Sequence, residues 1–151
     1  MSGTTAFVLR PYEPRDEDAA IALWLKTWQA TYPQFDFAAP PVKPRGEIMA
    51  AAKIVIAQTN DDAAAMIGFV TVDPLSHYLD QLVVAPEFWG AGVGNALIAD
   101  AKRLSPAGLE LDVNTDNTRA IGFYERNGFV ITGGGTNAFS GRPVHRMSWR
   151  P

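Results

Sequence analysis

Apolar and polar positions change period several times along this chain, and each change marks an element. Runs of alternating or continuous apolar residues, bounded by Pro, Gly and Asp clusters, predict strands at FVLRPY (7–12), KIVIAQT (53–59), MIGFVTVD (66–73), YLDQLVVAP (78–86) and LELDV (109–113). Two more close the chain, one starting near Phe129 and the other PVHRMSW (143–149), with GGGTN (133–137) expected as the loop they flank. The strands between 53 and 86 are joined only by NDDAA and PLSH. Such short links leave no room for a crossover, so antiparallel pairing is expected there.

Helical spacing takes over in three places. Ile21, Leu25 and Trp28, with Leu23, Trp24 and Tyr32 nearby, follow the acidic turn Arg15-Asp16-Glu17-Asp18, which suits the positive end of a helix. Pro33, Pro40, Pro41 and Pro44 break that pattern, and a short helix is expected around 47–52. From Gly92 the residues Gly94, Leu97, Ile98, Ala101 and Leu104 share one face until Pro106-Ala107-Gly108 stops the helix. Another helix runs from about Asn117 to Arg126, with Asn127-Gly128 as its stop signal. Antiparallel strands followed by a strand-helix-strand-helix unit make an α/β (α+β) domain, and 151 residues make one such domain, spanning 1–151.

Composition narrows the function. With 47% hydrophobic residues a packed core is expected, and a net charge of -3 gives no reason to expect a nucleic acid or an anionic membrane as partner. The absence of cysteine excludes disulfides, thiolate metal sites and a cysteine nucleophile. Two histidines without an H-E-x-x-H arrangement imply no metal. No signal peptide or membrane-length apolar run is read, so a soluble cytoplasmic protein is expected.

The candidate chemistry centres on FWGAGVGNAL, where Gly90, Gly92 and Gly94 run from a strand into an amphipathic helix. Backbone amides unobstructed by Cβ atoms can converge on a phosphate oxygen, and the helix dipole adds attraction. A tight turn that needs glycine only for steric reasons would have the same sequence. A dinucleotide fingerprint fits poorly: the G-x-G-x-x-G frame puts Asn95 or Leu97 in the third glycine position, and little chain follows.

VVAPEFWGAGVGNALI resembles the acyl-CoA-binding segment of the GCN5-related N-acetyltransferase superfamily. That signature, glutamine or arginine, two residues, glycine, one residue, then glycine or alanine, falls here on Trp89, Gly92 and Gly94. NTDNTRAIGFYERNGF resembles the same family's second signature through Asn117, Ala120, Phe123, Tyr124, Gly128 and Phe129. The resemblance implies a single-domain acyl-CoA N-acyltransferase fold, a mixed, mostly antiparallel sheet with helices on both faces, and acetyl-CoA as acyl donor. Leu82, Val83 and Val84 would lie on a splayed strand against the pantetheine arm. Trp89 would lie at the cofactor and the backbone of Gly90, Ala91, Gly92, Val93 and Gly94 would take the pyrophosphate, while Asn117, Phe123 and Tyr124 would meet the cofactor from the last helix. Trp89 departs from the pattern, because it replaces a side chain that donates to phosphate.

Tyr124 stands at the family's general-acid position, and a phenol with a pKa near ~10 keeps its proton at neutral pH for a departing thiolate. Core packing is the other reading of Tyr124, and helix capping that of Asn117, a role that Asp116 also suits. For the base, Glu47, Asp73, His77, Asp80 and His145 are candidates, with Asp80 and His77 flanking the strand that would bind the thioester; a water relay is the alternative. Without a cysteine to hold an acyl group, direct attack by a small-molecule or peptide amine in a ternary complex is expected. Trp28, Tyr32, Phe35 and Phe37, the hairpin at 73–80 and the loop at 133–142 are the expected acceptor site. A non-catalytic CoA-binding or sensing module is the rival reading, and an exposed strand edge leaves a homodimer open.

Overall fold

Seven runs of alternating side chains pair into one sheet in the computed structural model, which describes residues 6–32, 53–137 and 141–151. The strands are β1 (Phe7–Pro11), β2 (Lys53–Thr59), β3 (Met66–Asp73), β4 (Tyr78–Val84), β5 (Leu109–Asn114), β6 (Val130–Thr136) and β7 (Pro143–Trp149), in spatial order β1-β2-β3-β4-β5-β7-β6. Every pairing is antiparallel except β4 with β5. Three helices are described: α1 (Glu17–Thr31), α2 (Val93–Leu104) and α3 (Thr118–Arg126).

The helices cover both faces because the strands are apolar on both. Ala20, Leu23 and Trp24 of α1 pack on Ile54, Ile56, Phe69 and Val83. On the other face Val93, Leu97, Ile98 and Ala101 of α2 join Val70, Val72, Leu109, Leu111 and Tyr124 in the larger core. This two-sided burial is the expected behaviour of near-continuous apolar central strands.

One irregularity shapes the middle of the sheet. Thr71 opposes Gln81 and Val72 opposes Leu79, so Asp80 has no counterpart on β3 and β4 carries a bulge there. The Gln81 amide donates to the Thr71 hydroxyl at 2.9 Å. The extra residue shifts the side-chain alternation, bringing Leu79 to the same core as Leu82 and Val84. On its other side β4 meets β5 in register only at Tyr78–Glu110, after which the two strands part.

Two expectations need correction. Strand β4 ends at Val84, because Pro86 opens a short 3-10 turn, Pro86–Phe88. The glycines at 133–135 form strand β6, not a loop: Gly133, Gly134 and Gly135 pair with Arg146, His145 and Val144. Their backbone ladder makes the strand, and no side-chain pattern announces it. The helix expected around 47–52 lies outside the described residues.

The start of α1 is tied to β1 by a bidentate ion pair, with Arg10 Nη1 and Nη2 donating to Asp16 at 2.8 and 2.7 Å. The Glu13 amide also donates to Asp16 at 2.8 Å. The Arg10 hydrogen bond is the main reason the Asp16 carboxyl is held below its usual range. A depressed carboxyl stabilises the fold above its unfolded pKa and loses that contribution as pH falls through the folded one. Asp16→Asn is therefore expected to lower stability by about 1–3 kcal/mol at pH 7. In urea unfolding, its deficit relative to the parent should shrink below about pH 4; a deficit constant with pH would contradict this role.

Candidate active site

The cleft begins where β4 and β5 separate. The Ala85 amide donates to the Ile67 carbonyl at 2.8 Å, and Phe69 pairs with Val83, so residues 83 and 85 of the β4 segment face β3. By alternation Leu82 and Val84 turn their backbone groups toward β5, which offers no ladder partner past Tyr78–Glu110. An edge of this kind leaves peptide groups that a ligand's amides can satisfy. The Val84 carbonyl accepts the indole N–H of Trp89 at 2.8 Å. Val83 instead buries its side chain on the α1 face.

Beyond Pro86–Phe88 the chain turns through Gly90 and Gly92, with φ of +84° and +88°. Both sites have open space where a Cβ would stand, so glycine is required there by backbone conformation and not by crowding. Gly92 caps α2 without any side-chain hydrogen bond, and the first amide bonded back to it is that of Ala96. The amides of Val93, Gly94 and Asn95 are thus orphans of the first turn, beside the positive end of the helix dipole. Gly94 has a different reason: a Cβ there would lie 3.1 Å from Cε1 of Phe123. It lets α3 press against α2, and Ala91 completes the turn, half-buried against the core.

The side chain of Asn117 caps α3, its Oδ1 accepting from the Ala120 amide at 3.3 Å. Asp116, the other candidate cap, instead accepts from the Tyr32 hydroxyl at 2.9 Å and from Arg142. Asn114 Nδ2 donates to the same Tyr32 oxygen at 3.1 Å. Trp28 stacks on Tyr32 with centroids 5.8 Å apart, and the Arg142 guanidinium lies 4.8 Å from the Tyr32 ring. These contacts join the end of α1 to the open ends of β5 and β7. Arg142 ends the loop expected on the acceptor side, while Asn114 and Asp116 were not among the expected residues; Phe35 and Phe37, which were, lie outside the described residues.

Tyr124 is buried, with Phe123 and Phe129 meeting its ring edge-on at 5.3 and 5.5 Å. Among the described residues its hydroxyl has no hydrogen-bond partner. Burial pushes the phenol pKa well up, opposed by the positive charge of Arg119. Arg119 is a residue that sequence reasoning missed: its guanidinium lies over the Trp89 ring at 3.7 Å. Its only sequence signal was a cation two positions after the Asn117 cap.

The base candidates are scattered. Asp80 occupies the bulge at the parting of the strands, half-buried. Asp73 holds the preceding turn, its Oδ1 accepting from the Leu75 amide at 2.9 Å, which draws its carboxyl below the usual range. His77, at φ +63°, sits at the closed end of the cleft: its carbonyl accepts from the Glu110 amide at 2.8 Å and its Nδ1 lies 2.8 Å from Ser105 Oγ. His145 lies mid-β7 between Val113 and Gly134. Glu47 falls outside the described residues. No group of three or more His, Cys, Asp or Glu side chains that could hold a metal ion is found among the described residues, nor any helix long and apolar enough to cross a membrane.

A mixed seven-stranded sheet opened beside a glycine turn and an uncapped helix start is the architecture of a single-domain acyl-CoA N-acyltransferase. The acetyltransferase (GNAT) family matches residues 17–129; the chain belongs to this family and is an N-acetyltransferase. It is 29% identical over 130 residues to the peptidyl-lysine N-acetyltransferase YjaB of Salmonella typhimurium, covering 83% of this chain and 84% of that one. A GCN5-related N-acetyltransferase from Rhodopseudomonas palustris superposes with a TM-score of 0.79 at 21% identity, over 100% of this chain and 99% of the other. The PaiA N-acetyltransferase of Thermoplasma acidophilum, solved with coenzyme A, gives 0.71 at 16% identity over 97% and 99%.

The two glycines of the signature should respond differently to alanine. Gly92→Ala is expected to cost about 1–2 kcal/mol in urea unfolding, from the positive φ alone. Gly94→Ala gains helix propensity but meets the Phe123 ring, so its cost should vanish in a Phe123→Leu background while that of Gly92→Ala persists. Equal behaviour of the two in that background would refute the distinction.

Proposed function

We propose that the protein transfers an acetyl group from acetyl-CoA to a primary amine by direct attack in a ternary complex, with Tyr124 as general acid. The observation that carries this reading is the phenol itself: buried, held by two aromatic edges, proton-retaining, yet with a hydroxyl that no described protein group engages. The surroundings suit an acyl-CoA. The orphan amides of Val93, Gly94 and Asn95 suit its pyrophosphate, and the open edge at Leu82 and Val84 suits its amide-bearing arm. Phe123, packed on Gly94, would form the apolar wall beside that arm, and Asn117 would add a polar contact at its cap.

Acetyl-CoA supplies the activated acetyl group. The amine nitrogen bonds to the acetyl carbon as the carbon–sulfur bond breaks, and Tyr124 gives its proton to the departing sulfur. Asp80, beside the cleft on its bulge, takes the amine proton directly or through water. The phenolate left behind is favoured by the charge of Arg119 until it is reprotonated from solvent. A carboxylate at that point also suits a cationic acceptor. Because a relative carries the name peptidyl-lysine N-acetyltransferase, the lysine side chain of a peptide is the first acceptor to try.

Release of CoA thiol is readable with a thiol dye, since the chain has no cysteine of its own. With lysine peptides and acetyl-CoA, Tyr124→Phe should lower kcat at least ~10-fold while CoA affinity stays within about 2-fold. Undiminished turnover in the variant would remove Tyr124 from the chemistry. CoA binding without release for any amine would favour a binding module instead.

A further inference from the structure

The sequence leaves one gap in this site: the side chain that should donate to phosphate is Trp89, whose N–H is committed to the Val84 carbonyl. Across the cleft mouth, α3 runs past the start of α2. Phe123 packs on Gly94, and Asn127 Nδ2 donates to Asn95 Oδ1 at 3.2 Å. Arg119, at the first turn of α3, therefore stands beside the uncapped amides of α2, with its guanidinium 3.7 Å from the centre of the Trp89 ring.

Its charge is unbalanced. Among the described arginines, Arg10, Arg15, Arg103, Arg142, Arg146 and Arg150 each have a carboxylate within ion-pair distance. Arg119 has none among the described residues, although the protein as a whole is acidic. A guanidinium held over an indole face is anchored by cation–π attraction and keeps N–H groups that can fork toward an oxyanion. Arg126, two turns further on, also lacks a carboxylate and lies back over Gly122, so this side of α3 carries positive charge along its length.

We propose that Arg119, seated on Trp89, is the side-chain donor to the pyrophosphate of CoA in this chain, replacing from α3 the donor that position 89 does not supply. The inference rests on the acetyl-CoA reading above and adds a division of labour to it. Trp89 locks the turn through Val84 and serves as platform; Arg119 brings the charge. A forked guanidinium contact to a phosphate is charge-assisted, and its loss should be felt as roughly a 10- to 100-fold change in affinity.

The test is calorimetric binding of CoA and of S-acetylpantetheine, which has the arm but no phosphates, to the parent protein, Arg119→Ala, Arg119→Lys and the double variant Trp89→Arg/Arg119→Ala. Arg119→Ala should weaken CoA at least ~10-fold and S-acetylpantetheine less than about 2-fold, with the lysine variant intermediate because it lacks the fork. Trp89→Arg should recover part of the CoA affinity lost in Arg119→Ala, by putting a donor back on the turn. CoA binding by Arg119→Ala within about 2-fold of the parent would overturn the proposal while leaving the acetyltransferase reading intact. Equal weakening of both ligands would overturn it as well, since the loss would then not lie at the phosphates. A parent protein that takes up neither ligand would instead overturn the acetyl-CoA reading on which the proposal stands.

Discussion

The parting of β4 from β5 is the constraint on which the rest of the structure depends. A continuous sheet would satisfy every backbone group between these strands and leave nothing for a ligand. Here one extra residue, Asp80, bends β4 just past its single register pair with β5, and the strands diverge. The core on either side is kept by the shifted alternation, which returns Leu79, Leu82 and Val84 to one hydrophobic face. The sheet therefore opens without losing burial. What is lost is ladder hydrogen bonding, and part of that is restored by a side chain, the Trp89 indole on Val84.

The same economy governs the helix that follows. An exposed N-terminus is ordinarily closed by Ser, Thr, Asp or Asn, and α3 has such a cap in Asn117. Helix α2 starts instead from a left-handed glycine with no side chain to offer. Two neighbouring helices in one small domain thus end their first turns in opposite ways. The uncapped one is the one that points its dipole at the mouth of the cleft, while the capped one supplies the aromatic ring that packs on Gly94. Turn conformation and close packing both act among the three glycines of FWGAGVGNAL, at different positions.

The fold was largely legible because its strands alternate cleanly and its helices begin and end with strong signals. Strand β6 was not, since Gly133–Gly135 carry no side chains and owe their strand conformation to β7 alone. The bulge left a trace in YLDQLVV: Leu79 and Leu82 are three apart, one too many for strict alternation, but helix and turn patterns break alternation too. The local geometry of the candidate site was legible where its residues are close in sequence, as in the glycine turn and the Asn117–Tyr124 segment. Contacts between distant segments were not: Tyr32 reaches Asp116, and Arg119 reaches Trp89, across chain separations that no local pattern encodes. Reading Asp116 as a possible cap was reasonable by residue type; a tyrosine and an arginine had a stronger claim on it.

Tyr124 shows how stability and chemistry divide one side chain. Its ring is core, gripped between Phe123 and Phe129 and sharing the apolar cluster with α2 and β5. A hydrogen-bonded hydroxyl there would add about 0.5–1.5 kcal/mol to the fold. It would also direct the proton into the protein. Leaving the oxygen without a protein partner forgoes that stability, and on the proposed mechanism it keeps the phenolic proton available to whatever enters between the strands. Burial raises the cost of losing that proton and the cation of Arg119 opposes that rise in part, so the phenol keeps its proton at neutral pH. On the proposed mechanism, packing fixes where the proton is held and the opened sheet determines what can receive it.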